Sequence, residues 1–196
     1  YGVFFRRMLF RFSHIFVQDE QSCSLLTRIG IDDLTNAGDT RFDRVVRIAA
    51  TARDIPQIEI FRDGEKILLA GSSWQQDEEI IARYINRYPD NMKWVFAPHE
   101  IDKPNIERLE KLFTVKVVRF SEFSEKSVDA RVMIIDNIGM LSAAYRYAYI
   151  AAIGGGFGKG IHNVLEAACW GIPVVFGPNF KKFREATDLI NANGAK

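Results

Sequence analysis

The stretch that decides the fold begins Tyr149-Ile-Ala-Ala-Ile153 and continues through Gly154-Gly-Gly-Phe-Gly-Lys-Gly160 into Ile161-His-Asn163, with Pro173-Val-Val-Phe176 beyond. An apolar run, a glycine cluster, a helix opening and a second apolar run spell strand, loop, helix, strand. Glycine lets a backbone approach an anion closely, and a helix start presents unpaired N–H groups. In an open α/β sheet, ligands gather outside the carboxyl ends of the strands. The pattern predicts a helix opening at Ile161-His162-Asn163, with a phosphate at its start.

The same alternation extends upstream. Lys66-Ile-Leu-Leu-Ala70 is a continuous apolar run of the kind a central parallel strand shows. A helix from about Asp77 to Tyr88 follows, with Ile81, Tyr84, Ile85 and Tyr88 on one face. Then come strand Lys93–Ala97, helix Pro104–Phe113 with proline in its first turn, strands Val115–Val118 and Val132–Ile135, and helix Gly139–Tyr147. Nearer the start, His14–Val17 and Leu34–Ala37 are short strands. Asp19 to Arg28 is a helix stopped by Gly30, and a further helix ends near Ala52. Ile55 to Glu65, with Pro56 and Asp63-Gly64, is the least regular stretch. It divides residues 1–54 from a second domain, 55–196. The alternation as a whole predicts an α/β, doubly wound parallel sheet of the Rossmann-like kind.

Composition narrows the function classes. Apolar residues make up 47% of the 196 and charged residues 26%, enough for a real core. A net charge of +1 gives no global pull toward nucleic acid, and none is expected as a partner. Cys23 and Cys169 are too few and too far apart for a disulfide framework. The three histidines lack ligand spacing, so no metal and no cofactor is expected. Phe4, Phe5, Arg6, Arg7, Met8, Leu9, Phe10 and Arg11 form a basic, apolar stretch. It is either a helix packing one face on its own protein or one lying on a membrane surface. The sequence starts at Tyr1 and stops at Lys196 just after a helical pattern, so it reads as a soluble fragment of a longer chain.

The residues just after each strand describe one rim: Gly71-Ser72-Ser73-Trp74, Pro98-His99-Glu100, Asp136-Asn137, Gly154 to Asn163, and Gly177-Pro178-Asn179. The helix after Ser73 opens on Asp77-Glu78-Glu79, which repels a phosphate, whereas the helix after the glycines carries no acid before Glu166. The second is the better anion site. Glycines at such a turn also serve close strand packing, and that alternative stays open. Asn163 and Glu166 have the spacing of a capping box, yet Glu166 could equally accept a ribose diol. His162 could donate to a phosphate or to a nearby carbonyl.

At these residues the chain resembles the 3-deoxy-D-manno-octulosonic acid (Kdo) transferases of bacteria. The run from Gly154 to Pro178, with its Gly160-Ile-His-Asn-Val-Leu-Glu166 core, resembles the family's donor-site signature. Gly38-Asp-Thr-Arg-Phe-Asp43 resembles Gly-Asn-x-Lys-Phe-Asp, and Gly71-Ser-Ser-Trp74 before Asp77-Glu-Glu79 resembles Gly-Ser-Thr-His before Glu-Glu. Pro98-His-Glu100 and Asp136 to Leu141 occupy the places of Pro-Arg-His and Asp-Thr-x-Gly-Glu-Leu. Trp74 and Met140 depart from the family's usual histidine and glutamate. The likeness covers about residues 13–187.

The resemblance implies an inverting glycosyltransferase of two Rossmann-like domains, the GT-B architecture. Kdo would move from CMP-Kdo to a lipid A precursor, without a metal, at the cytoplasmic face of the inner membrane. Residues 1–54 would close the N-terminal acceptor domain and 55–196 would form the donor domain. By the same likeness the donor is held by Arg41, Gly71, Ser72, Ser73, His99, Gly154, Gly155, Gly156, Gly160, His162, Asn163 and Glu166. The catalytic base and the lipid acceptor's site would lie in the N-terminal domain, so no catalytic residue is expected here. The alternatives are a UDP-sugar 2-epimerase or UDP-sugar transferase of the same architecture, and a non-catalytic nucleotide-binding domain.

Overall fold

A computed structural model describes residues 2–196, which fall into two compact units, one ending at Arg47 and the other running Ile48–Lys196. The first holds helix α1 (Gly2–Leu9), strand β1 (Ile15–Val17), helix α2 (Glu20–Thr27) and strand β2 (Leu34–Asn36). The two strands pair in parallel, Ile15 opposite Leu34 and Val17 opposite Asn36. Asp19 caps α2 by accepting the Ser22 N–H at 2.7 Å, and Gly30 turns the chain at φ 89°. The basic, apolar opening is helical, but α1 buries none of its side chains. Two three-residue strands offer it little surface to cover. Helix α3 (Thr40–Thr51) spans the division between the units.

The second unit departs from expectation at its start. The stretch read as least regular contains helix α4 (Pro56–Arg62). Pro56 sits in its first turn, and Ile58 and Phe61, three apart, are fully buried. Asp63 and Gly64, both at positive φ, end it. Proline and Asp-Gly mark the two ends of a short helix here, and between them two buried residues are too few for a visible period.

Beyond α4 the α/β alternation holds. Strands β3 (Ile67–Ser73), β4 (Lys93–Pro98), β5 (Val117–Arg119), β6 (Val132–Ile134), β7 (Ile150–Ile153) and β8 (Val174–Phe176) form one parallel sheet. Its order is β5-β6-β4-β3-β7-β8. Helices α5 (Gln75–Arg87), α6 (Lys103–Glu110), α7 (Leu141–Ala144), α8 (Leu165–Ala168) and α9 (Arg184–Asn191) make the connections and the final turn. Every residue of β4 is buried, as a strand inside a doubly covered sheet requires. On one side Trp94, Phe96, Val132 and Ile134 pack with Ile85 of α5 and Ile106 and Leu109 of α6.

The order fixes where a ligand can enter. From β3 the chain steps to β4 on one side, whereas β7 and β8 lie on the other. The connections therefore diverge between β3 and β7, and such a switch point opens a crevice at the carboxyl ends. Those ends carry Gly71-Ser72-Ser73 and the glycine cluster.

Candidate functional site

β3 does not stop at Ala70. It runs on through Gly71 and Ser72 to Ser73, with an irregularity between Gly71 and Ser73 where Ser72 takes φ 50°. That kink lets Gly71 accept the Gly154 N–H at 2.9 Å while Ser73 accepts the His99 N–H at 2.9 Å. One strand end thus ties together the exits of β7 and β4. A Cβ on Gly71 would strike the Tyr145 hydroxyl, which burial keeps protonated. A Cβ on Gly154 would lie 2.1 Å from the Ser72 carbonyl oxygen, and one on Gly156 would lie 2.5 Å from the Gly177 nitrogen. Gly155 and Gly160 sit at φ 90° and 134°, where a side chain is strained. Close backbone packing therefore accounts for these glycines by itself.

The helix expected at Ile161 opens four residues later. α8 is a single turn, Leu165–Ala168. The reason is local: the Ile161 N–H is taken by the Asn179 carbonyl (3.4 Å) and the His162 N–H by the Gly154 carbonyl (3.1 Å). The chain crosses back over the loop before it can turn, and one turn sums few peptide dipoles. Asn163 does not complete a capping box either. Its Oδ1 accepts the Leu165 N–H (3.1 Å), and its Nδ2 donates to Glu166 Oε1 (3.2 Å). Ser142 Oγ donates to the other Glu166 oxygen at 2.5 Å, and Trp170 Nε1 donates to the Ser142 carbonyl at 2.7 Å. Ser142, from α7, is a neighbour of Glu166 that the sequence pattern gave no reason to single out.

Of the three acids that open α5, Asp77 and Glu78 are buried and Glu79 is exposed. Asp77 Oδ2 accepts the Trp74 N–H and the Gly155 N–H, both at 2.8 Å. The first bond is half of a capping box; an indole has no oxygen to return the other half. The second joins the start of α5 to the glycine loop. Glu78, fully buried, accepts from Ser73 Oγ at 2.9 Å and pairs with Arg108 of α6. Burial raises its pKa, against the pull of Arg108 and Ser73. Ser73 is itself buried, with its hydroxyl turned to Glu78, so only its main chain meets the rim.

Three aromatic rings gather on that rim. The Trp74 and His99 centroids stand 4.4 Å apart at 24°, and those of His99 and His162 stand 4.6 Å apart at 26°. The Trp74 indole N–H donates to His162 Nε2 at 2.8 Å. Burial, then the neighbouring His99 charge, lowers the pKa of His162; Asp77 and Glu166 oppose this. Sequence reading placed both histidines and Trp74 on this rim but gave Trp74 no role, noting it only as a departure from a family pattern. Behind the loop lies a cavity of about 220 Å³ lined by Ile80, Ile81, Phe157 and Phe176 among others. It is apolar, so a phosphate would be drawn to the rim rather than the cavity. Arg41 lies in the first unit, where its guanidinium clasps Asp39 at 2.6–3.0 Å and holds that carboxyl below its usual range.

Comparison with known proteins agrees with this architecture. No protein-family model matches the sequence. A 3-deoxy-D-manno-octulosonic acid transferase of Rickettsia prowazekii is 28% identical over 200 residues, spanning 98% of this chain and 42% of the relative. One of Aquifex aeolicus is 30% identical over 135 residues, 66% of this chain and 37% of the relative. Among solved structures, the C-terminal CMP-Kdo binding domain of WaaA from Acinetobacter baumannii superposes with a TM-score of 0.60 at 19% identity, covering 78% of this chain and 81% of that domain. A UDP-N-acetylglucosamine 2-epimerase gives a TM-score of 0.56 at 16% identity, covering 92% of this chain and 43% of the epimerase. These structural likenesses establish the Rossmann-like fold of GT-B proteins. The chain spans about two fifths of the length of the curated relatives it matches. Relatives named 3-deoxy-D-manno-octulosonic acid transferase thus match the chain along nearly its whole length, at 26–28% identity.

Proposed function

We propose that the chain is the donor-binding part of an inverting glycosyltransferase that moves Kdo from CMP-Kdo to a lipid A precursor at the cytoplasmic face of the bacterial inner membrane. One observation carries the reading. The segments that resemble the family's donor signature converge at the switch point of the sheet, where α/β proteins bind ligands. The rim there has the chemistry a nucleotide needs: flat rings for a base, a carboxylate for a diol and N–H donors for a phosphate.

The donor phosphate sits against the glycine loop between Gly154 and Gly160. It is met by His162 and by the N–H groups of Asn163 and Val164, for which no partner occurs among the described residues. These fixed donors stabilise the negative charge that grows on the phosphate as the sugar departs. Glu166, oriented by Ser142 and Asn163, accepts the ribose hydroxyls through its remaining lone pairs. His99 and Ser72 border the same opening. The base that activates the acceptor hydroxyl, and the lipid acceptor's site, belong to a separate N-terminal domain.

Calorimetric titration of this chain with CMP and with UDP tests the reading. CMP should bind, more tightly than UDP, and Glu166→Ala should weaken it on the order of tenfold, the loss expected for one charge-assisted hydrogen bond. Preference for UDP would favour a UDP-sugar enzyme of the same architecture. Binding of neither nucleotide would overturn the donor-site assignment.

A further inference from the structure

The Trp74–His162 contact has a chemical consequence. An indole N–H can only donate, so the 2.8 Å bond obliges His162 Nε2 to present a lone pair. The proton of the neutral ring must then sit on Nδ1, which has no partner among the described residues. The rest of the surroundings hold the ring in place. A Cβ built on Gly155 would lie 3.2 Å from His162 Cδ2, so the loop backs the edge that carries Cδ2. His99 stacks on both rings, at 4.4 and 4.6 Å from their centroids.

We propose that Trp74 is a positioning residue: its indole N–H pins His162 as the Nδ1–H tautomer and so decides which ring atom meets the anionic ligand. The inference rests on the donor-site reading above for the ligand, but the pinning itself is a property of the free protein. A histidine so held is a neutral donor rather than a switching cation. The groups facing it agree with that role. Burial and His99 disfavour the imidazolium, Asp77 and Glu166 favour it, and the first pair prevails. Protonation of Nε2 would also cost the Trp74 bond. Phenylalanine in place of Trp74 keeps a flat ring against His99 and removes the N–H along with the rest of the five-membered ring.

Nitrogen NMR of the ligand-free chain labelled at its histidines tests the pinning without any variant. His162 should show a protonated Nδ1 and a bare Nε2, and it should titrate below the ordinary histidine value of about 6.5. In Trp74→Phe it should shift toward the Nε2–H tautomer and titrate higher than in the wild type, because protonating Nε2 no longer breaks the indole bond. CMP affinity, followed from pH 8 to pH 5.5, gives the functional readout. The nucleotide's own phosphate titration is shared, so it cancels in the ratio of variant to wild-type dissociation constants. That ratio should fall on the order of fivefold as pH drops, because the freed histidine becomes a charge-assisted donor. A protonated Nε2 in the wild type would overturn the inference, as would unchanged His162 titration in the variant. A pinned tautomer without CMP binding would uphold the pinning and overturn the donor-site reading instead.

Discussion

The two helix starts on the rim invite comparison. α5 opens with Asp77 and Glu78 and runs thirteen residues; the segment expected to open the other carries no acid before Glu166, yet α8 itself runs four residues with Glu166 in its one turn. On sequence electrostatics, the first should repel a phosphate and the second attract one. The structure changes both halves of that contrast. Asp77 and Glu78 are turned inward and bonded to Trp74, Gly155, Ser73 and Arg108, so little of their charge faces a ligand. α8 is too short for a helix dipole of consequence. What distinguishes the glycine side is loop geometry: a strand exit held against β3, with donors of Asn163, Val164 and His162 beside it. The α5 start works as its anchor.

The most severe way to break that arrangement is to separate the backbones it joins. Gly154→Ala puts a methyl 2.1 Å from a main-chain oxygen of β3 that cannot swing aside. Destabilisation of about 3 kcal/mol or more is expected, read from urea unfolding. Gly158→Ala, in the same loop, meets the Gln76 amide oxygen at 3.4 Å and the Gly155 carbonyl at an ordinary 3.7 Å, and lies outside the left-handed region. It should stay within about 0.5 kcal/mol of wild type. Equal effects at the two positions would show that the loop tolerates side chains generally, and that the packing account is wrong.

Asp77 sharpens the comparison next. Asp77→Ala strands the N–H groups of Trp74 and Gly155 away from water at once. The expected loss is about 2–3 kcal/mol, less than that of the backbone clash because two freed donors can relax. CMP affinity should fall too, since the Gly155 turn loses its tether. Asp77→Asn keeps one acceptor oxygen and should lose less on both measures. Were Asp77 merely a dipole acid, Asp77→Ala would cost only about 0.5 kcal/mol and leave CMP binding alone.

How far the sequence reached follows from the kind of interaction involved. The parallel sheet was legible because buried strands print continuous apolar runs, as Lys66–Ala70 and Pro173–Phe176 do. The rim was legible because glycines and histidines cluster where strands end. Asp77 was visible as a helix-start acid, but its second partner, Gly155, lies 78 positions away. The Trp74–His162 bond spans 88 positions, and no local pattern can encode it. α4 hid behind its own punctuation. Lys93, at the base of β4, is the plainest case of a residue type arguing the wrong way. It is 2% exposed, its ammonium donating to the Phe61 and Val128 carbonyls at 2.6 and 2.5 Å. Burial lowers its pKa, and only tertiary structure supplies the two oxygens.

Glu78 gives the smallest expected effect and the finest test of the inward-turned acids. Its folded pKa is raised above the unfolded value of about 4.5, chiefly by burial. The folded state therefore holds the proton more firmly than the unfolded chain does. The stability linked to that proton is fully present below about pH 4.5 and is lost as pH rises through the raised folded value. Glu78→Gln carries no titrating group while keeping an oxygen for the Ser73 hydroxyl. The difference between wild-type and variant stability should accordingly drift against the wild type as pH climbs from 4.5 toward neutrality, then level off. Urea midpoints measured across that range give the slope. A difference independent of pH would mean that Arg108 fully offsets the cost of burying the charge, leaving the α5 acids as an ordinary ion pair.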